Sequence, residues 1–338
     1  MIRRWLGLTV AAALLLGGCA PKVTEEPAPP TGGKAEPAKD AGGAKPGKKI
    51  KVGFAQVGAE SGWRTANTKS IKDEAEKRGI ELMFDDAQQK QENQIKAIKA
   101  FIAAKVDVIM FSPVVATGWE SVLKEAKEAK IPVILSDRAI DPDNPDLYAT
   151  FIGSNFIEEG RRAATWLAKK MNGKAKIAEL VGTVGSAPAN ERKKGFEEIL
   201  AKNPGMKIIK SQTGDFKRDK GKSVMEAFLK SPEGKDIDAV FAHNDDMAIG
   251  AIQAIEAAGK KPGKDIVIVS IDGVKAAFEA MVAGKLNCTV ECNPLLGPQL
   301  FDAVEAIVAG KPVEKRIESK EGVFDETQAK DEIAKRQY

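Results

Sequence analysis

Three consecutive stretches decide the fold: Ile50-Lys51-Val52-Gly53-Phe54-Ala55, then residues 62–78 closed by Gly79, then Ile80-Glu81-Leu82-Met83-Phe84. The first and third are short and mostly apolar. The middle one is polar with apolar residues at helical spacing, and its glycine is a helix stop. Strand, helix, strand in that order predicts a βαβ unit, which places its two strands in parallel.

Working outward, the rhythm repeats. A helix is expected over 89–104, where Ile95, Ile98, Phe101 and Ile102 recur at helical spacing, and strands over 106–111 and 131–135 with a helix over 118–129 between them. After an interruption at 141–145 come strands over 176–180, 207–211, 237–242, 266–271 and 287–291. Helices are expected over 154–171, 189–201, 217–229, 247–258 and 275–282. Short, almost wholly apolar strands are buried on both faces, which calls for helices on both sides of a parallel sheet. The chain therefore reads as α/β, with two doubly wound, Rossmann-like domains of similar size. In such sheets ligands gather at the carboxyl ends of the strands, so two facing domains place the site in the cleft between them.

The residues that follow the strands are polar and planar. Glu60, Trp63 and Arg64 follow the first, and Asp137 and Arg138 follow the fourth. In the second half Arg192, Phe216, Asn244 and Asp272 hold the corresponding places, and Glu291 ends the strand at 287–291. Carboxylates, amides and guanidinium groups grip vicinal hydroxyls two at a time, and aromatic faces cover the C–H patches of a ring, so the set suits a sugar. Asp, Asn and Ser after a strand also cap helices; Ser154 and one of Asp245 and Asp246 are assigned to capping. Trp119 and Trp166 lie inside helices and are read as packing residues. His243 is left open between a ligand contact and a satisfied neighbour of the site. The Gly182–Gly185 loop lacks the Lys-Ser/Thr of a phosphate-binding loop.

Taken together, Asp137-Arg138, Arg192 with Gly195-Phe196, Asp215-Phe216 with Gly221, the run 244–250 and Ile271-Asp272-Gly273 resemble the type I periplasmic binding proteins of sugar ABC transporters, in the ribose- and galactose-binding branch. The resemblance covers 50–338. Residues 57–65, 88–94 and 113–119 are similar to the galactofuranose-binding subfamily. It implies a three-crossover hinge with discontinuous lobes: 50–153 with about 293–318, and 154–292 with about 319–338. It also implies that Glu60, Trp63, Arg64, Asp137 and Arg138 line one wall and Arg192, Phe216, Asn244, Asp272 and Glu291 the other. Glu291 stands where the ribose-binding pattern has Gln, and Cys292 belongs to no motif. Asp137 with Arg138, and Asp272 with a cationic neighbour, are expected to neutralise one another around an uncharged guest. The function implied is capture of a monosaccharide, galactofuranose foremost, by hinge closure for an ABC permease, as a monomer. A sugar-sensing receptor feeding a chemoreceptor or sensor kinase is the alternative. A glycosidase is the remote one, disfavoured because Arg and Asn partners would keep both acids ionised.

The N-terminus reads as an address. Arg3 and Arg4 precede an apolar run at 5–16, too short for the ~20-residue helix that spans a bilayer, and Leu16-Gly17-Gly18-Cys19 matches a bacterial lipobox. Residues 1–18 are thus a lipoprotein signal peptide and Cys19 the acylated residue, giving an extracytoplasmic protein anchored by lipid. Residues 19–49 hold six Pro and five Gly and no hydrophobic period, the composition of a disordered tether.

Charge and composition narrow the classes. The 338 residues carry 52 Lys+Arg, 48 Asp+Glu and one His. Two of the basic residues fall in 1–19, and six basic against four acidic in 20–49, leaving 44 against 44 in 50–338. A neutral body lacks the cationic surplus that binding a phosphate backbone requires, so no nucleic acid partner is expected. One His and three Cys leave little for a metal centre, and no metal or cofactor is expected. Cys288 and Cys292 are read as buried free thiols, because four residues of strand set them ~13 Å apart where a disulfide needs less than ~7 Å.

Overall fold

The structure is a computed structural model and describes residues 49–141 and 144–338. Cys19, the expected signal peptide and all but the last residue of the tether lie outside the described residues.

The first sheet collects β1 (Lys51–Gln56), β2 (Glu81–Asp86), β3 (Val108–Phe111), β4 (Val133–Ser136) and β5 (Thr150–Gly153). Its helices are α1 (Gly62–Lys77), α2 (Gln91–Ala103) and α3 (Glu120–Glu128). The chain then builds α4 (Phe156–Lys170), β6 (Lys174–Val181), α5 (Ala187–Leu200), β7 (Gly205–Thr213), α6 (Arg218–Lys230), β8 (Ala239–Ala242), α7 (Asp245–Ala257), β9 (Val267–Asp272), α8 (Lys275–Val282) and β10 (Cys288–Glu291). It returns through α9 (Gly297–Val308) to β11 (Arg316–Glu318), and ends in β12 (Val323–Asp325) and α10 (Ala329–Glu332).

The strand orders are β11-β5-β4-β3-β1-β2 and β12-β10-β9-β8-β6-β7, and every pairing is parallel except β10 with β12. Each order reverses beside its first strand, at β1/β3 and at β6/β8, the switch points where a doubly wound sheet opens a crevice. Because β11 joins the first sheet and β12 the second, the chain passes between the sheets three times: after β5, after β10 and after β11.

Alternation along each strand feeds two cores. In β1, Val52 and Phe54 face Ile71 and Ala75 of α1 and Leu300 and Phe301 of α9, while Ala55 faces Ile98 and Phe101 of α2 and Leu123 of α3. All four residues of β3 are buried. Burying a side chain of Ile, Leu or Phe size stabilises by about 1.5–3 kcal/mol, so this two-sided packing supports the sheet against the entropy of ordering it.

Four details depart from the sequence reading. β5 went unread because it is four residues long and follows the interruption; β11 and β12 have three residues each, partly exposed, too short for any period to show. The α4 cap is Asn155, whose Oδ1 accepts from Glu158 N at 3.1 Å, and not Ser154. Asn244 caps α7, accepting from Met247 N at 3.0 Å, which frees Asp245 and Asp246 for other contacts. Cys288 and Cys292 are both buried and free, in keeping with the spacing argument.

One packing feature sets the site directly. Helices α4 and α5 cross where a side chain at Gly160 would stand 2.1 Å from the Arg192 carbonyl, and one at Gly195 1.9 Å from the Ile157 carbonyl. The two glycines let the backbones touch, and that contact brings Glu159 of α4 against Arg192 of α5. Gly195→Ala is expected to cost about 1–3 kcal/mol through overpacking. Calorimetric unfolding should show a lowered midpoint, and an unchanged one would contradict the close crossing.

Candidate functional site

The loops at the carboxyl ends of both sheets close around a small cavity. Nine of the ten residues expected to contact ligand line it: Glu60, Trp63, Arg64, Asp137, Arg138, Arg192, Phe216, Asn244 and Asp272. Ser61, Phe156, Pro188 and Cys292 complete the wall.

On the first-sheet side, two guanidinium and two carboxylate groups form a buried chain. Arg64 reaches the site because Ser61 caps α1, accepting from Arg64 N at 3.1 Å and fixing the first turn against β1. Its Nη2 donates to Asp137 Oδ2 at 2.6 Å and its Nε to Glu60 Oε1 at 3.1 Å, and Nη1 lies 3.3 Å from both Gln56 Oε1 and Ser112 Oγ. Arg138 Nη2 donates to the same Glu60 oxygen at 3.4 Å, and its Nη1 to the Val114 carbonyl at 3.1 Å. Asp137 pairs most closely with Arg64 and also faces its chain neighbour, whose Nε stands 3.8 Å away.

Burial and charge compete in this chain. Burial acts to raise the Glu60 carboxyl, but Arg64 and Arg138 overcome it and hold the group below the usual carboxylate range. Arg138 loses the contest: burial, with Arg64 beside it, pulls it down to about 10. Glu60 Oε2 and Arg138 Nε are both buried without a hydrogen-bond partner, polar atoms left for something in the cavity.

The second-sheet side is built around Arg192. Its Nε donates to Glu159 Oε2 at 2.7 Å, its Nη1 to the His243 carbonyl at 2.5 Å, and its Nη2 lies 3.8 Å from Asp272 Oδ1. Asp272 has a cationic neighbour, as expected, yet burial outweighs it and pushes the carboxyl well above its ordinary value. Asn244 donates Nδ2 to the Phe216 carbonyl at 3.2 Å, so the helix cap also fixes the aromatic wall. Phe216 has φ 61, and its ring lies where a side chain at Gly182 would fall 1.9 Å from it. The loop that resembled a phosphate cradle is there to admit this ring.

Guanidinium groups sit over the aromatics: Arg64 at 4.6 Å from the Trp63 ring, Arg138 at 5.4 Å from Phe216, and Arg192 at 5.0 Å from Phe156 and 5.9 Å from Phe216. Trp119 is core against Phe111 and Trp166 packs on the second core, as read from their helical positions. His243 resolves to the bland reading, buried with Nε2 3.2 Å from Glu179 Oε1 and outside the cavity wall.

Glu291 is the misplaced residue. It does not line the cavity; Arg336 Nη1 donates to its Oε1 at 2.7 Å and Gly322 N to its Oε2 at 3.0 Å, so it anchors the C-terminal segment. Side chains alternate at the end of a strand, and the next residue, Cys292, takes the inward place instead. Cys292 follows the strand, and its N donates to the Asp272 carbonyl at 3.0 Å, which holds it at the cavity wall.

The two sides touch directly. Asp246 Oδ2 accepts from Gly62 N at 2.7 Å at the start of α1, Ala116 N donates to the Gly185 carbonyl at 2.8 Å, and Trp63 Nε1 donates to the Cys292 carbonyl at 2.6 Å. Asp246 is itself held by Arg218 Nη2 at 2.7 Å. A carboxylate at a helix N-terminus is favourably placed, so this pair stabilises the closed arrangement.

Glu60→Gln is expected to destabilise the protein by roughly 3 kcal/mol at neutral pH, since it leaves two buried guanidinium groups short of charge. A carboxylate depressed on folding contributes stability above its unfolded value near 4.5, and that contribution disappears as pH falls through the folded value. Urea unfolding of both proteins from pH 7 to 3 should therefore converge at the acid end. A constant difference would contradict the ion-pair chain.

Comparison with known proteins gives a consistent picture. The family profile described as periplasmic binding protein domain matches residues 52–312. The galactofuranose-binding protein YtfQ of Escherichia coli (strain K12) is 53% identical over 290 residues, 85% of this chain and 91% of that protein. The periplasmic binding component of the arabinose ABC transporter from Shewanella sp. ANA-3, solved with α- and β-L-arabinofuranose, superposes with a TM-score of 0.83 at 54% identity, covering 85% of this chain and 96% of that one. A Mycobacterium smegmatis protein solved with β-D-fucofuranose gives 0.83 at 56% identity, covering 86% and 95%.

Proposed function

Because the chain belongs to the periplasmic binding protein domain family, we propose that it is the extracytoplasmic sugar-binding component of an ABC importer, taking one monosaccharide in furanose form, galactofuranose foremost. The carrying observation is a cavity walled by both sheets, with three guanidinium groups, three carboxyl groups and three aromatic side chains. An anion or cation would leave one sign unpaired in a desolvated site; an uncharged polyol does not.

The roles follow from the geometry. Asp137 and Arg138 offer bidentate edges to ring hydroxyls from one side, and Arg192, Asn244 and Asp272 from the other. Trp63 and Phe216 cover the C–H surface of the ring. The three crossings form the hinge, and the sugar bridges the two sides so that closure and binding are one equilibrium. The relatives that bind furanose sugars support the ring form. Binding, with no bond made or broken, is the activity proposed, by a monomer docking on a membrane permease. Cys19 is proposed as its acylated anchor.

Asp272→Ala and Arg192→Ala should each weaken binding by about 2 kcal/mol, roughly 30-fold, by stranding a hydroxyl or a buried charge. Titration calorimetry with D-galactose and L-arabinose measures this, and unchanged affinity in both variants would sink the site assignment. Sugar should also change tryptophan fluorescence through Trp63, with the response lost in Trp63→Phe. Persistence of the full response would place the reporter elsewhere. In a bacterial host the full chain should fractionate with membranes, and Cys19→Ser should release it; equal fractionation would remove the lipid anchor.

A further inference from the structure

The three segments that pass between the sheets meet at one carboxyl group. Ser154 lies on the first crossing, Cys292 and Asn293 on the second, and Glu321 on the third. The Ser154 hydroxyl and the Asn293 N–H (3.0 Å) both donate to Glu321 Oε1, and Ser154 Oγ lies 3.4 Å from Cys292 Sγ. Glu159 of α4 comes to the same place: one carboxylate oxygen of Glu159, one of Glu321 and the Cys292 sulfur fall within 4.8 Å of one another.

The charges that face this cluster do not balance it. Arg192 of α5 gives its Nε to Glu159 Oε2 and spends the rest on the His243 carbonyl and Asp272. Arg162 of α4 reaches the Glu321 backbone carbonyl at 2.9 Å and otherwise holds Glu158. Arg316 of β11 is paired with Glu318 and lies 3.4 Å from the Ser154 carbonyl. Glu159 is 1% exposed, and its Oε1 has no hydrogen-bond partner. With Glu159 buried and Glu321 half-buried, two carboxyl groups this close repel one another's ionisation, and the one guanidinium in contact holds only Glu159. Burial first, then the Glu159 charge, pushes Glu321 up to about 8, while burial raises Glu159 and the Cys292 thiol.

We propose that Glu321 is a positioning residue of the hinge that carries a proton in the closed form, and that capture of a sugar takes up that proton from solvent. Cys292 lines the cavity on one side and contacts this cluster on the other. Opening the cleft therefore brings water to the carboxyl pair, hydrates the charged form and releases the proton; closing reverses this. The inference rests on the sugar-capture reading.

The test is calorimetric titration of the full chain with L-arabinose and with D-galactose near pH 7.5, in buffers of different ionisation enthalpy. The wild type should show a binding heat that varies with the buffer, reporting uptake of up to one proton per sugar, and Glu321→Gln should abolish the variation while still binding. Ser154→Ala removes a donor that favours the ionised form, so its uptake should move to higher pH. Binding without buffer dependence in the wild type, or equal dependence in Glu321→Gln, would overturn the proposal. No binding heat with either sugar would overturn the capture reading itself, and the coupling with it. A second readout is thermal unfolding with the sugar held at saturation, so that the folded state is the closed form. A carboxyl raised on folding contributes stability that is full below about 4.5 and is lost as pH rises through about 8. Thermal midpoints of the wild type should fall relative to Glu321→Gln across that interval, and parallel curves would contradict a proton on the pair.

Discussion

The buried chain Asp137–Arg64–Glu60–Arg138 is the constraint on which the cleft depends. Taking four charged groups out of water costs several kcal/mol each, and partners at 2.6–3.4 Å offset that cost only while all of them stay in place. Its members come from three places: Glu60 from the β1–α1 turn, Arg64 from the first turn of α1, and Asp137 and Arg138 from the end of β4. Any shift of one loop would strand a charge in another. The ion pairs thereby fix the loop positions, and the sheet fixes the loops' roots.

The opposite wall uses the same logic with different parts. Arg192 is placed by a glycine-mediated helix crossing and then shared among Glu159, the His243 carbonyl and Asp272. Asp137, Phe216 and Asp272 adopt left-handed backbone angles, conformations that cost energy and persist where the surroundings over-determine them. Asp245 supplies part of that determination: its Oδ2 accepts from Gly273 N at 2.8 Å and Val274 N at 2.9 Å, locking the turn just after Asp272. What is strained in the backbone is held by buried polar bonds behind the cavity.

How much of this could be read in the sequence divides along physical lines. Strands buried on both faces announce themselves as apolar runs, so β1, β3, β4, β8 and β9 were legible, and the strand ends led to nine cavity residues. Elements defined by pairing, not by pattern, were hidden. β5, β11 and β12 are short and owe their existence to neighbours. The exchange of Glu291 for Cys292 follows from the bonds that tie Glu291 to Gly322 and Arg336, which composition cannot show. That Arg64 approaches Asp137 more closely than the adjacent Arg138 does is a distance in space that side-chain identity does not reveal. Asn244 served as both cap and aromatic support, two roles that a helix-start pattern merges into one.

The central claim is that paired charges and two aromatic faces enclose one uncharged sugar in its furanose form. Nuclear magnetic resonance of D-galactose labelled with carbon-13 at the anomeric carbon, mixed with a slight excess of the protein, tests it most directly. The account expects a bound resonance in the furanose region that Arg192→Ala diminishes. A bound resonance confined to the pyranose region, or no bound resonance with galactose and arabinose alike, would contradict it.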